Sequence, residues 1–185
     1  MIRAGDFRNG ITFEIAGEPY IVEDFQHVKP GKGAAFVRTK YRNLLTGTIQ
    51  EDAFSPDEKF NKAHIETRKM QYLYKDTDLY YFMDVETYEQ TPVMEKILKR
   101  AIKYLKESDI LELKFYEGKC IDVVMPIFVK LEVVYAEPGI KGDSASNVTK
   151  SCEVETGAEF QVPMFVESGD VIKIDTRTDE YVTRV

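Results

Sequence analysis

Short alternating runs broken by turn residues constrain this chain more than any other feature. Ile11, Phe13 and Ile15 alternate with Thr12 and Glu14, the two-residue period that buries one face of a β-strand and wets the other. Gly17-Glu18 reads as the turn that follows. Residues 21–28 and 34–41 read as the next two strands, around Pro30-Gly31-Lys32-Gly33. A turn at 45–47 and a strand at 48–54 follow. Four or five short antiparallel strands in about sixty residues fit an SH3-like or KOW-like barrel.

The pattern continues beyond the polar stretch Ser55-Pro56-Asp57-Glu58-Lys59, which reads as a connection. Strands are predicted at 65–74, 79–84, 86–90, 110–116 and 119–124. One helix interrupts them: Met94, Ile97, Leu98, Ala101, Ile102 and Leu105 recur at spacings of three and four. Strands plus a single helix suit an OB-type barrel. Further strands at 129–135, 151–154, 159–163, 170–175 and 181–184 make the last third all-β. The expectation is an all-β chain of three small barrels: 1–62 SH3-like or KOW-like, 63–127 OB-type with one short helix, and 128–185 OB-type.

Charge is unevenly spread. Residues 1–62 hold nine Lys+Arg and nine Asp+Glu, 63–127 hold ten and twelve, and 128–185 hold six and eleven. The chain thus grows more acidic toward its end. Against that gradient, 26–50 contains Lys29, Lys32, Arg38, Lys40 and Arg42 and no acid. A positive arm on an acidic protein points to a negative partner, with nucleic acid the leading class. Alternation along the predicted strand puts Arg38, Lys40 and Arg42 on one face, as a basic RNA-facing row.

Lys32 is the most distinctive of these cations. Pro-Gly favours a tight turn with Pro30 second and Gly31 third, where φ is positive. The lysine then sits at a hairpin tip, cleared of neighbouring side chains by Gly31 and Gly33. A P-loop is excluded, since no Ser or Thr follows the lysine and no spaced upstream glycine precedes it. Schiff-base chemistry needs a desolvated amine, which an exposed tip does not supply. Attachment of a group, or contact with nucleic acid, remains.

Little else suggests chemistry. His27 and His64 are the only histidines, and they fall in different predicted domains, so neither a metal site nor an acid–base pair is expected. Glu23-Asp24 and Glu51-Asp52 are adjacent pairs whose side chains point to opposite strand faces. Cys120 and Cys152 lack metal-ligand spacing and read as two reduced thiols of a cytoplasmic protein. No apolar run approaches the roughly 20 residues that span a bilayer. A catalytic site, a cofactor, a metal and a membrane partner are therefore not expected. A free single-stranded RNA-binding OB module stays open as an alternative, although the acidic later domains argue against strong general RNA affinity. An enzyme acting on a small molecule finds no supporting polar cluster.

The full chain also resembles the bacterial translation elongation factor P family. The resemblance is carried by Lys29-Pro30-Gly31-Lys32-Gly33 with Ala35-Phe36, by Leu44-Leu45-Thr46-Gly47-Thr48, and by Tyr72-Leu73-Tyr74. Pro138-Gly139-Ile140-Lys141-Gly142-Asp143, Glu155-Thr156-Gly157-Ala158, Val162-Pro163, Gly169-Asp170-Val171-Ile172-Lys173 and Asp175-Thr176-Arg177-Thr178 extend it. Each motif is weak alone; their order and spacing together are specific. The related hypusine-bearing archaeal and eukaryotic factor is similar over two domains only, and the paralogous elongation factor P-like protein shares the fold.

The resemblance implies three barrels in an L shape the size of a tRNA. It implies a monomer that binds the ribosome between the peptidyl-tRNA and exit sites and relieves stalling on consecutive prolines. Lys29, Pro30, Gly31, Lys32 and Gly33 would form the loop facing peptidyl-tRNA, with Lys32 the position modified by a lysine-modifying enzyme in many members. Gly142, Asp143, Ser144 and Ala145 match a loop that approaches messenger RNA at the exit-site codon; Ser144 stands where Thr is commoner, and keeps the hydroxyl.

Overall fold

The computed structural model describes residues 1–139 and 148–185, so the segment with Gly142, Asp143, Ser144 and Ala145 lies outside the described residues. The chain is nearly all β. Its strands in order are β1 (Ile2–Arg3), β2 (Thr12–Ile15), β3 (Glu18–Val28), β4 (Phe36–Asn43), β5 (Ile49–Phe54), β6 (Lys59–Phe60), β7 (Ile65–Asp76) and β8 (Leu79–Asp84). Then come β9 (Gln90–Met94), β10 (Ile110–Tyr116), β11 (Lys119–Val124), β12 (Phe128–Ala136), β13 (Thr149–Val154), β14 (Glu159–Pro163), β15 (Val171–Asp175) and β16 (Glu180–Arg184). Two compact units result, one of Met1–Arg68 with Leu113–Asp122, the other of Lys69–Glu112 with Val123–Val185.

In the first unit β2, β3, β4 and β5 form an antiparallel meander, and β1 pairs with β6. So small a sheet encloses little volume, and aromatic rings fill it. Phe7 and Phe13 are fully buried, with ring centroids 4.8 Å apart. Tyr41 meets Phe13 nearly edge-on at 5.6 Å, and Phe60 closes on Phe13 at 5.3 Å. Tilted and edge-on contacts of this kind add to what ring burial contributes. The hydroxyl of Tyr116 donates to Glu14 at 3.1 Å, and its pKa is pushed up to about 12 by burial and by that carboxylate.

In the second unit β8 lies between β7 and β9. Alternation buries Tyr80, Phe82 and Asp84 along β8. The C-terminal sheet runs β14-β13-β12-β15-β16, all pairs antiparallel. Its core holds Leu131, Val133, Val154, Val162, Ile172 and Ile174, each fully buried.

Two local expectations are corrected. The helix predicted over 94–105 is one α-turn, α1 (Glu95–Leu98), followed by a 3₁₀ turn at Ile102–Tyr104. Leu98, Ala101 and Tyr104 are the residues buried there, a spacing of three rather than 3.6. Backbone bonds from Ala101 to Leu98, Tyr104 to Ala101 and Leu105 to Ile102 follow that tighter period, as 3₁₀ geometry requires. Met94, placed on the apolar helix face by its spacing, ends β9 and is 52% exposed.

The strand predicted at 86–90 is instead a turn. Asp84 Oδ1 accepts from the backbone N–H groups of Glu86 and Thr87 at 2.8 and 3.1 Å, an Asx-type turn that defers the strand to Gln90. β9 then includes Pro92, which an edge strand tolerates because no ladder donor is needed on its open side.

Candidate functional site: the Lys32 loop

The β3–β4 hairpin builds the site. Its register runs Phe25↔Thr39, Gln26↔Arg38, His27↔Val37 and Val28↔Phe36, so residues 29–35 form the connecting loop. All seven are exposed. This is a broader tip than the tight Pro-Gly turn expected. The backbone also assigns the glycines differently: Gly33, not Gly31, has positive φ, at 127°. Gly31 leaves open space around its Cα. The predicted isolation of Lys32 is therefore present, with the chain reversal carried one step past the lysine.

Lys32 Nζ has no ion pair among the described residues, and neither does Lys29. The rest of the basic row differs. Val37, Thr39 and Tyr41 are buried, which turns Arg38, Lys40 and Arg42 outward as alternation predicts. Acids arrive from the neighbouring strands. Arg42 Nε lies 2.7 Å from Glu23 Oε1 on β3, and Arg38 Nε lies 3.8 Å from Glu51 Oε1 on β5. Lys40 stands between Asp24 and Glu51 in register without an ion pair of its own among the described residues. The run without acids in sequence is thus flanked by acids in space, a partnering that only the strand order reveals. Free positive charge is concentrated at the loop, with Lys40 behind it.

His27 is exposed and meets Phe25 edge-on at 5.8 Å; His64 is also exposed. No group of three or more His, Cys, Asp or Glu side chains suited to a metal occurs among the described residues. Cys120 and Cys152 are free thiols, and burial pushes Cys120 up to about 11. Among the described residues no helix is long and apolar enough to cross a membrane.

The backbone resembles translation-factor folds built of small β-barrels. Translation initiation factor 5A from Methanococcus jannaschii aligns with TM-score 0.57 and 25% identity, covering 66% of this chain and 92% of that one. A translation initiation factor 5A family protein from Naegleria fowleri, 17% identical with TM-score 0.54, shares the fold over 67% of this chain and 94% of its own. These define the fold class, small β-barrels joined in one chain.

The family follows from sequence. The elongation factor P KOW-like domain matches residues 3–60, its OB domain 65–123 and its C-terminal domain 129–184. Proteins named elongation factor P from Alkaliphilus metalliredigens and Clostridioides difficile are 63% and 60% identical over the whole of both chains. The chain belongs to the elongation factor P family and is a translation elongation factor.

Proposed function

We propose that this factor binds the ribosome between the peptidyl-tRNA and exit sites and promotes peptide-bond formation on consecutive prolines by positioning peptidyl-tRNA. The observation that carries the reading is the seven-residue exposed loop with Lys32 unpaired between two glycines. Proline is a slow reactant because its ring limits the approach of the amine, so help consists mainly of orientation. An ammonium on a flexible stem holds a phosphate as a point charge, and a group attached to Lys32 by a modifying enzyme lengthens its reach. No chemistry is asked of the lysine itself. Arg38, Lys40 and Arg42 extend the RNA-facing surface, and the loop with Gly142, Asp143, Ser144 and Ala145 serves the exit-site codon. The factor acts as a cytoplasmic monomer in this reading.

The test is Lys32→Ala in a reporter that translates consecutive prolines, with ribosome binding measured in parallel. Loss of rescue with an unchanged unfolding curve is expected. Full rescue by the variant overturns the reading.

A further inference from the structure

The β3–β4 hairpin has a second face, opposite the one that carries Arg38, Lys40 and Arg42. Phe25 pairs with Thr39 and His27 with Val37, and residues directly opposite each other share a face. Thr39 and Val37 are fully buried, yet His27 is exposed and Phe25 only half-buried. Strand order is the reason. β2 pairs with β3 only over 18–21, and backbone bonds from Gly10 and Ile11 extend that contact to Val22. Beyond Val22 no described strand lies along that side of β3, so its last residues form a bare arm leading to the Lys32 loop. Arg8 lies over the Phe25 ring, its guanidinium carbon 5.2 Å from the centroid. Phe25 in turn meets His27 edge-on at 5.8 Å, and Lys29 starts the loop two residues later. Arg8, Phe25 and His27 thus make a cation–aromatic row along the arm.

We infer that this row is a second RNA contact of the factor, in which His27 stacks on an unpaired base and Arg8 holds the adjoining phosphate. The inference rests on the reading of this chain as a ribosome-bound factor. Packing accounts for Phe25, which lies against the aromatic core. It does not account for His27, whose ring stays exposed. Among the described residues the Arg8 side chain donates only to the Phe7 carbonyl, so most of its five N–H donors are left over. The ring and that carbonyl fix the fork in one place, the preorganised form in which a guanidinium takes a phosphate. The carboxylates of the surrounding elements are engaged or turned away. Asp6 pairs with Arg3 and Glu23 with Arg42. Asp52 accepts from Tyr41, and Glu58 from the Ser55 N–H. Asp24 stands opposite Lys40 on the other face, Asp57 belongs to the turn that bonds to Gly5 beside β1, and Glu14 and Glu18 lie at the far end of β3. An acidic protein segment would match the cation alone; a nucleotide uses both groups, its phosphate on the guanidinium and its base on the ring. Either the single-stranded end of a tRNA or an unpaired loop of ribosomal RNA supplies such a nucleotide.

The test uses the full chain with a photoreactive benzoylphenylalanine in place of His27, irradiated with ribosomes that carry peptidyl-tRNA, and a parallel sample with the same group in place of Lys32. Label from the His27 position on RNA is expected, and recovering tRNA and ribosomal RNA separately tells which supplies the base. His27→Ala should bind ribosomes about tenfold more weakly, the loss of one stacked base, with an unchanged unfolding midpoint. His27→Phe keeps a ring and should bind within about twofold of the parent. Arg8→Gln should lower the slope of log affinity against log salt by about one. Label from the His27 position on protein alone, or none from ribosomes that are labelled at Lys32, overturns the inference. So does a folded His27→Ala variant within about twofold of the parent, a His27→Phe variant as weak as His27→Ala, or a folded Arg8→Gln variant with an unchanged salt slope. Should Arg8→Gln fail to fold, the His27 variants and the cross-link decide. If the factor does not bind ribosomes at all and neither position labels, the ribosome reading falls and this inference falls with it.

Discussion

Tyr104 donates its phenolic hydrogen bond to Asp179, a residue 75 positions further along the chain. Lys103 Nζ donates to the other oxygen of the same carboxylate, and Thr156 Oγ1 donates to the Lys103 carbonyl at 2.6 Å. The Tyr104 ring lies stacked on Phe160 at 6.0 Å, inside the buried cluster that holds Leu131 and Ile174. The 3₁₀ turn between β9 and β10 is therefore part of the core of the C-terminal sheet. Tyr104→Phe keeps the ring and loses the hydrogen bond, at about 1–2 kcal/mol. Tyr104→Ala empties the site and should cost about 3–5 kcal/mol. Urea unfolding followed by circular dichroism measures both; an unchanged midpoint for Tyr104→Ala defeats the argument.

The same region should be acid-labile. Arg177, through its side chain and then its backbone N–H, holds Asp175 down at about 2. The Glu167 backbone N–H, and then Arg184, lower Asp170. At Asp179 burial works upward, but the bonds from Lys103 and Tyr104 outweigh it and the net direction is down. Each carboxyl is thus a stronger acid folded than unfolded, where its ordinary value is 3.8. Their stabilisation is complete above the unfolded value and is lost as pH falls through the folded ones. The unfolding midpoint should drop between about pH 4 and about pH 2, and Asp175→Asn should flatten that slope. A parallel slope in the variant removes Asp175 from the account.

How far the sequence reveals this molecule depends on the range of the physics involved. Alternation is local, so the strands of the C-terminal sheet and the outward turn of Arg38, Lys40 and Arg42 are visible in it. The exposure of Lys32 is equally local, because glycines and a proline cannot bury it. The 94–105 segment misleads because spacings of three and four serve an α-helix and a 3₁₀ turn alike until the buried partner of Tyr104 is known. Residues 86–90 mislead because the Asp84 carboxylate, a side chain outside the segment, takes its first two backbone donors. Glu23 and Glu51 were hidden for a third reason. Their contact with Arg42 and Arg38 depends on strand pairing, which spacing along one strand does not contain.

Gly33 offers a direct test of the loop. Its φ of 127° lies where side chains are strained, although a Cβ there would meet Pro30 Cγ at an ordinary 3.5 Å. The obstacle is backbone conformation, not space. Gly33→Ala should cost about 1–3 kcal/mol locally or force the tip to a new path, displacing Lys32 and lowering proline rescue. Gly31→Ala has open space and no positive φ, so its effect on stability should stay within about 0.5 kcal/mol. Thermal unfolding and the consecutive-proline reporter, run on both, should separate them. Equal behaviour of the two variants would show that Gly33 has no special role in the loop.

The cations of β4 should contribute unequally to RNA contact. Arg42 is tied to Glu23 and Arg38 to Glu51, so using either guanidinium means releasing a carboxylate that repels the same phosphate. Exposed pairs of this kind stabilise the fold by less than about 1 kcal/mol, so the pairs tune surface charge more than they hold the barrel together. Lys40 faces Asp24 and Glu51 in register but is bound to neither, and its ammonium is the one in that row available without breaking a pair. Lys40→Ala should therefore weaken ribosome association more than Arg42→Ala, and the loss should shrink as salt rises, because screening acts on exposed charge. Glu23→Gln should act in the opposite sense by freeing Arg42. Binding titrations at two ionic strengths test the order, and a larger loss for Arg42→Ala than for Lys40→Ala would show that the guanidinium is recruited despite Glu23.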